Sequence, residues 1–101
     1  MAEVDQQWGA RLKAARLSAG LSQKSLGIEA GIDEFVASAR INRYELGVHR
    51  PDLLTVRKLA NVLDVPVAYF FADNDEMAKL LLHYQRAKST VRKEVRKLLG
   101  M

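Results

Sequence analysis

Residues 20–47, "GLSQKSLGIEAGIDEFVASARINRYELG", decide how the chain is read. Gly20 is a natural stop for whatever helix precedes it. "LSQKSL" then opens a new helix, with Ser22 suited to the N-cap and Leu21 placed to staple against Leu26. That helix meets Gly31 after barely two turns. Asp33 is the next N-cap candidate, and Gly47 provides a second stop. On a helix advancing about 100° per residue, Ala37, Ile41 and Tyr44 cluster on one side. Val36, Ala39, Asn42 and Arg43 point away from them, with Phe35 beside these. The segment therefore reads as two short helices joined by a turn, the second showing a polar, arginine-bearing face to the outside.

Outward from this centre the chain continues as helices, and no segment alternates apolar and polar residues with the period of a strand. A first helix is expected from about Asp5 to Ala19, with Trp8, Leu12 and Ala15 on one face. Downstream, "HRPDLLTVRKLANVL" starts again behind Pro51 with Asp52 as N-cap, and Val56, Leu59, Ala60 and Leu63 follow helical spacing. "VPVAYFF", beginning at or near Pro66, is a short apolar turn of helix suited to closing a core. "ADNDE" is a polar break, with Asp73 and Glu76 in the arrangement of a capping box. The expected organisation is a helical module over residues 1–72 and a helical extension over 73–101.

In that extension Met77, Leu81, Tyr84, Lys88, Val91, Val95 and Leu98 step by four and three, a heptad seam with one lysine in it. One long helix pairing with a second copy fits this spacing, and so do two helices broken near Lys88-Ser89-Thr90. A third arrangement has Met77, Leu81 and Tyr84 covering the module's own core. The seam residues other than Lys88 (Met77, Leu81, Tyr84, Val91, Val95 and Leu98) are the candidate dimerisation set.

The chain of 101 residues carries a net charge of +4, unevenly placed. Residues 1–82 hold ten Lys/Arg against eleven Asp/Glu, whereas from His83 onward there are six against one. That tail is either a well-solvated helix face or an anion-binding one, and net charge alone does not establish nucleic-acid binding. Apolar content of 49% and charged content of 28% are those of a folded globular domain. The absence of cysteine removes disulfides and thiolate metal sites, and suits a reducing cytoplasm. No apolar run approaches the roughly 20 residues needed to cross a bilayer, and the N-terminus lacks the apolar stretch of a secretory signal. The narrow seam of the tail, without Trp or Phe, is poorly suited to a membrane surface. His49 and His83 lie far apart, no glycine-rich phosphate loop follows a strand, and no metal-ligand cluster occurs. The expectation is a non-enzymatic protein without metal or cofactor.

Two short helices joined by a turn, the second with a polar outward face, meet the physical requirement for reading a DNA major groove. "GLSQKSLGIEAGI" followed by "INRYELGVHRPDLLTVRKLANVLDV" resembles the phage-repressor, lambda-repressor-like helix-turn-helix family over about residues 9–71. The resemblance rests on an ordered set: Gly20-Leu21-Ser22-Gln23, Gly27 after Leu26, Ala30-Gly31-Ile32, Tyr44-Glu45-x-Gly47, and Pro51 before the next helix. It implies an all-α, five-helix DNA-binding domain, here with a C-terminal helical extension. It also implies that Gln23 meets a DNA phosphate, and that His49 and Arg50 lie where the opposite backbone wall is touched. Arg16 and Glu45 match the positions of an internal ion pair. Spacing supports that pair independently, because Glu45 lies about 40° from Ile41 on the helix and an inward carboxylate needs a cation.

On the outward face Arg43 is the leading base reader, since a guanidinium grips guanine O6 and N7 with two hydrogen bonds. Asn42 suits adenine or a phosphate, Ser38 is equally open, and Ala39, with Val36 as a second candidate, suits a thymine methyl. Arg40 on the flank, with Lys24, suits phosphates. Between Gly31 and Gly47 the chain has about four residues more than the family's usual arrangement. "DEFV" either adds a turn to the N-terminal end of the recognition helix, presenting Phe35 and Val36, or lengthens the turn and leaves both in the core. The expected function is a sequence-specific regulator of transcription, bacterial or phage-encoded, cytoplasmic and nucleoid-associated. It would repress by occupying a near-palindromic operator as a homodimer. An antitoxin-type module, which binds a toxin and represses its own promoter, is the alternative; a toxin or a polymerase subunit would then be the protein partner.

Overall fold

A computed structural model describes residues 2–101, with side chains from Gln6 onward. Seven helices follow one another: α1 (Ala2–Ser18), α2 (Gln23–Glu29), α3 (Ala37–Glu45), α4 (Leu53–Leu63), α5 (Val67–Phe71), α6 (Asp75–Arg86) and α7 (Ser89–Leu98). Among the described residues there is no strand. The fold is thus all-α, five helices plus a two-helix extension.

Local chemistry sets the ends. Ser22 Oγ accepts from the Ser25 N–H at 3.0 Å and Asp52 Oδ1 from the Thr55 N–H at 2.8 Å, which start α2 and α4. Gly20 and Gly47 hold positive φ, 72° and 74°, where a Cβ would be strained. Asp64 ends α4 with φ 54°, a left-handed position that a short polar side chain tolerates. The Arg86 guanidinium reaches back to the carbonyls of Leu63 and Asp64 at 3.2 and 3.1 Å. It thereby satisfies orphan acceptors at the negative end of α4.

Three expected ends are placed differently. The first helix begins at Ala2 rather than about Asp5. Asp33 does not cap α3; Val36 stands at that N-cap without a side-chain bond. Asp33 instead accepts the Phe35 N–H on Oδ1 at 2.9 Å, stabilising a turn. The start of α6 is capped by Asn74, whose Oδ1 accepts from the Met77 N–H at 2.8 Å, so Asp73 and Glu76 form no capping box. Asn74 lies one residue further on and takes the N-cap position itself, with extended backbone.

The core joins every element from α1 to α6. Leu12, Leu26, Ile41, Leu59 and Phe70 are its largest fully buried side chains. Each contributes about 1.5–3 kcal/mol by leaving water. Trp8 tilts against Phe70 with ring centroids 5.1 Å apart. Ala78 of α6 is buried in the same cluster, with Leu81 and Leu82 packed on it. Two glycines permit the helices to approach: a Cβ on Gly27 would lie 2.7 Å from that of Ala37, and one on Gly9 would lie 2.3 Å from the Glu45 carbonyl oxygen. The second contact brings α1 against the end of α3, and the first seats α2 on its beginning.

The heptad seam is interrupted. Ala87 and Lys88 are extended, with ψ of 152° and 153°, and divide the tail into α6 and α7. No residue of α7 is buried. Arg96 donates to the Tyr84 hydroxyl at 2.7 Å and ties α7 to α6.

Candidate nucleic-acid interface

The inner side of α3 is locked down. Ala37 and Ile41 are fully buried, and Tyr44 and Glu45 nearly so. Burial raises the Tyr44 hydroxyl pKa above its ordinary value, with Arg40 acting to lower it and Asp52 to raise it. Glu45 is neutralised by a forked contact: Arg16 Nε donates to Oε2 at 2.6 Å and Nη2 to Oε1 at 3.1 Å. The Arg16 and Glu45 side chains retain only 10% and 3% exposure, so a charge on either requires the other. Arg16 Nη1 also donates to the Leu21 carbonyl at 3.0 Å, fastening the loop ahead of α2. One ion pair therefore connects α1, the α1–α2 loop and α3.

Gln23, the first residue of α2, extends this network to the surface. Its Nε2 donates to Glu45 Oε1 and to Asn42 Oδ1, each at 3.1 Å. A carboxylate only accepts, which fixes the orientation of the Gln23 amide. That in turn assigns the Asn42 oxygen to Gln23 and leaves the Asn42 NH₂ group as the outward donor. The bond between Gln23 and Asn42 is not evident from spacing, since it joins residues 19 apart across two helices.

The outer side of α3 carries Ser38, Ala39, Arg40, Asn42 and Arg43, all exposed. Lys24 is exposed beside Gln23 on α2. His49 and Arg50 lie in the loop after α3. With Trp8, Pro51, Leu53, Val56 and Phe71 they line a pocket of about 320 Å³. The structure thus brings Gln23, Asn42, Glu45 and Arg16 into one network and leaves Arg43 and Arg40 on the solvent side of the same helix.

The four residues "DEFV" form a turn, not an extra helical turn. Neither arrangement expected for them is met in full. Phe35 stays outside the helix yet is 90% exposed, and Val36 is 41% exposed, so a longer turn does not place them in the core. Ala37 takes the inward position that closes the turn, and Gly27 leaves no room there for a larger side chain.

The candidate dimerisation residues are split between helices. Met77, Leu81 and Tyr84 lie on α6, the last two half-buried; Val91, Val95 and Leu98 lie on α7, with Val91 and Leu98 exposed. Two structural residues escaped the sequence reading. Arg86 is the cap on α4 described above. Arg11 is buried, with Nη1 toward the Tyr69 carbonyl at 3.4 Å and Nη2 3.7 Å from Asp75. Its spacing of three from Trp8 and four from Ala15 is the signal that places it on the inner face. Among the described residues no group of three or more His, Cys, Asp or Glu could hold a metal, and no helix is long and apolar enough to cross a membrane.

This arrangement has close counterparts. The structure is similar to the crystal structure of the transcriptional regulator BswR, with a TM-score of 0.87 and 47% identity over 91% of both chains. HTH-type transcriptional regulators of Sinorhizobium medicae (strain WSM419) and Rhizobium meliloti (strain 1021) are each 33% identical over 70 residues, 69% of this chain. The chain spans about half the length of those curated relatives, 48% of each. The helix-turn-helix family model matches residues 12–70, the stretch that holds α2, α3, the ion pair and most of the core. The chain belongs to the helix-turn-helix family.

Proposed function

We propose that this protein binds double-stranded DNA at specific sequences and regulates transcription by occupying its site as a homodimer. The observation that carries the reading is α3 itself: its tyrosine side is buried and tied by the Arg16–Glu45 pair, while Arg43, Asn42, Ala39 and Ser38 face outward. Those four are the base-reading set. Arg43 offers a fork to guanine O6 and N7, and Asn42 offers its NH₂ to an acceptor such as adenine N7. Gln23, Lys24, Arg40, His49 and Arg50 are assigned to phosphates, with the backbone N–H groups at the start of α4 adding to the site of His49 and Arg50. The similarity to transcriptional regulators points the same way.

Residues 1–72 are assigned to DNA and 73–101 to pairing. A helix of ten residues is marginal on its own in water, and no residue of α7 is fully buried. A second copy covering Val91, Val95 and Leu98 on α7 and Met77, Leu81 and Tyr84 on α6 accounts for its presence. Paired recognition helices would meet successive major grooves about 34 Å apart on a near-palindromic operator, and repression follows from occupancy. Such a protein acts in the cytoplasm, on the nucleoid.

Selection of bound duplexes from random DNA tests the first claim. A two-fold site should emerge, and Arg43→Ala should weaken it by on the order of 1–3 kcal/mol while relaxing preference at one base pair per half-site. An equal loss on specific and random duplexes would remove Arg43 from the reading set. Light scattering tests the second: the chain should have twice the monomer mass, and the pair Val91→Asp and Leu98→Asp should halve it. A monomeric mass with and without DNA refutes the dimer.

A further inference from the structure

Phe35 is the most exposed of the large apolar side chains among the described residues, at 90%. An exposed phenyl ring forgoes the stabilisation that burial would give it. Yet the turn that carries it is well built. The Phe35 N–H donates to Asp33 Oδ1 at 2.9 Å, and the Val36 N–H donates to the Asp33 carbonyl at 3.1 Å. The close seat of Gly27 on Ala37 fixes where this turn delivers the chain into α3. The ring is therefore held outward by an ordered support, two residues ahead of the recognition helix.

We infer that Phe35 is a further specificity-determining residue, packing its ring on a thymine methyl group in the major groove ahead of the bases read by α3. This rests on the DNA-binding reading above. In a helix-turn-helix the N-terminal residues of the second helix reach the base edges, so the residue just before them arrives at the same depth. A phenyl ring makes no hydrogen bond to a base edge, and the apolar feature the major groove offers it is the thymine C5 methyl. The two carboxylates beside the ring, Asp33 and Glu34, are both exposed and repelled by phosphates. This restricts the ring to an approach over the groove floor, where cytosine N4 offers Glu34 a donor. Val36, 41% exposed, widens the apolar surface beside the ring.

The test takes the duplex recovered by selection and replaces each thymine in turn with deoxyuridine, which removes only the methyl. Binding is measured by fluorescence anisotropy for the full-length wild type and Phe35→Ala. At one thymine per half-site the replacement should weaken wild-type binding roughly three- to fivefold. Phe35→Ala should weaken the thymine duplex by a similar factor, show no further loss on deoxyuridine, and melt at the wild-type temperature. If Phe35→Ala responds to every deoxyuridine as the wild type does, the inference is overturned. It is equally overturned if the variant keeps full DNA affinity but changes mass in light scattering, which would make Phe35 a protein contact. A wild type that shows no preference among duplexes fails differently, because it removes the DNA-binding reading itself and Phe35 with it.

Discussion

Replacing Arg16 with alanine tests whether one buried contact holds the recognition helix in place. In the wild type, Glu45 accepts two bonds from Arg16, at 2.6 and 3.1 Å, and one from Gln23. With Arg16 gone, a side chain only 3% exposed is left with a single neutral donor. Removing one partner of a buried pair costs about 3–5 kcal/mol, mainly because the survivor stays desolvated. A domain of this size has about 5–15 kcal/mol of stability in total, so the loss is a large share of it. At about 4–8 °C per kcal/mol the melting temperature should fall by at least roughly 12 °C. Urea unfolding followed by circular dichroism should show a lower midpoint with unchanged slope. The double replacement Arg16→Met with Glu45→Leu removes both charges and should recover much of the loss, leaving a coupling of more than about 1 kcal/mol. If Arg16→Ala costs under about 1 kcal/mol, or if the two single losses simply add, the pair does not fasten α3 and the reasoning fails.

Two further expectations concern neighbouring positions. Gly9→Ala should destabilise the fold by at least about 1–3 kcal/mol in the same urea assay, because its Cβ would meet the carbonyl oxygens of Glu45 and Tyr44 at 2.3 and 2.7 Å, and backbone cannot rotate away as a side chain can. A wild-type midpoint would show that α1 and α3 can slide apart freely. Gln23→Ala should separate two roles on DNA: a phosphate contact alone weakens all duplexes alike and lowers the salt slope by about one, whereas a positioning role also relaxes preference at the base pair that Asn42 meets. Unchanged affinity and slope would deny both.

The fold was largely legible because periodicity and punctuation agree along most of the chain. Val56, Leu59, Ala60 and Leu63 share the inner face of α4, and Ser22 and Asp52 cap where their spacing places them. The wheel of α3 is also right on both sides, with Ala37, Ile41 and Tyr44 inside and Ala39, Asn42 and Arg43 outside. What spacing could not decide were choices between two nearby polar residues. Asp33 and Asn74 illustrate this: both can accept an N–H two or three residues on, and only the path of the chain determines whether a turn or a helix results. The break at Ala87 was similarly ambiguous, because a heptad pattern continues across Lys88 whether or not the backbone does. Long-range bonds such as Arg86 to Leu63 and Gln23 to Asn42 leave no periodic trace, since each depends on helices that meet only in three dimensions.

The position of Glu45 links the buried ion pair to the exposed side of α3. Its carboxylate faces Arg16 on one side and Gln23 on the other, and Gln23 is what orients Asn42. A change in the buried pair therefore reaches the exposed side of α3 through a single amide. An amide that loses its carboxylate acceptor is free to flip, and a flipped Gln23 presents an oxygen to Asn42, turning the outward donor into an outward acceptor. A major-groove edge distinguishes those two patterns, since adenine N7 and guanine O6 accept whereas cytosine N4 donates. The acceptor at Glu45 thus bears on which hydrogen-bond pattern Asn42 displays, a role that an apolar residue of the same shape could not fill.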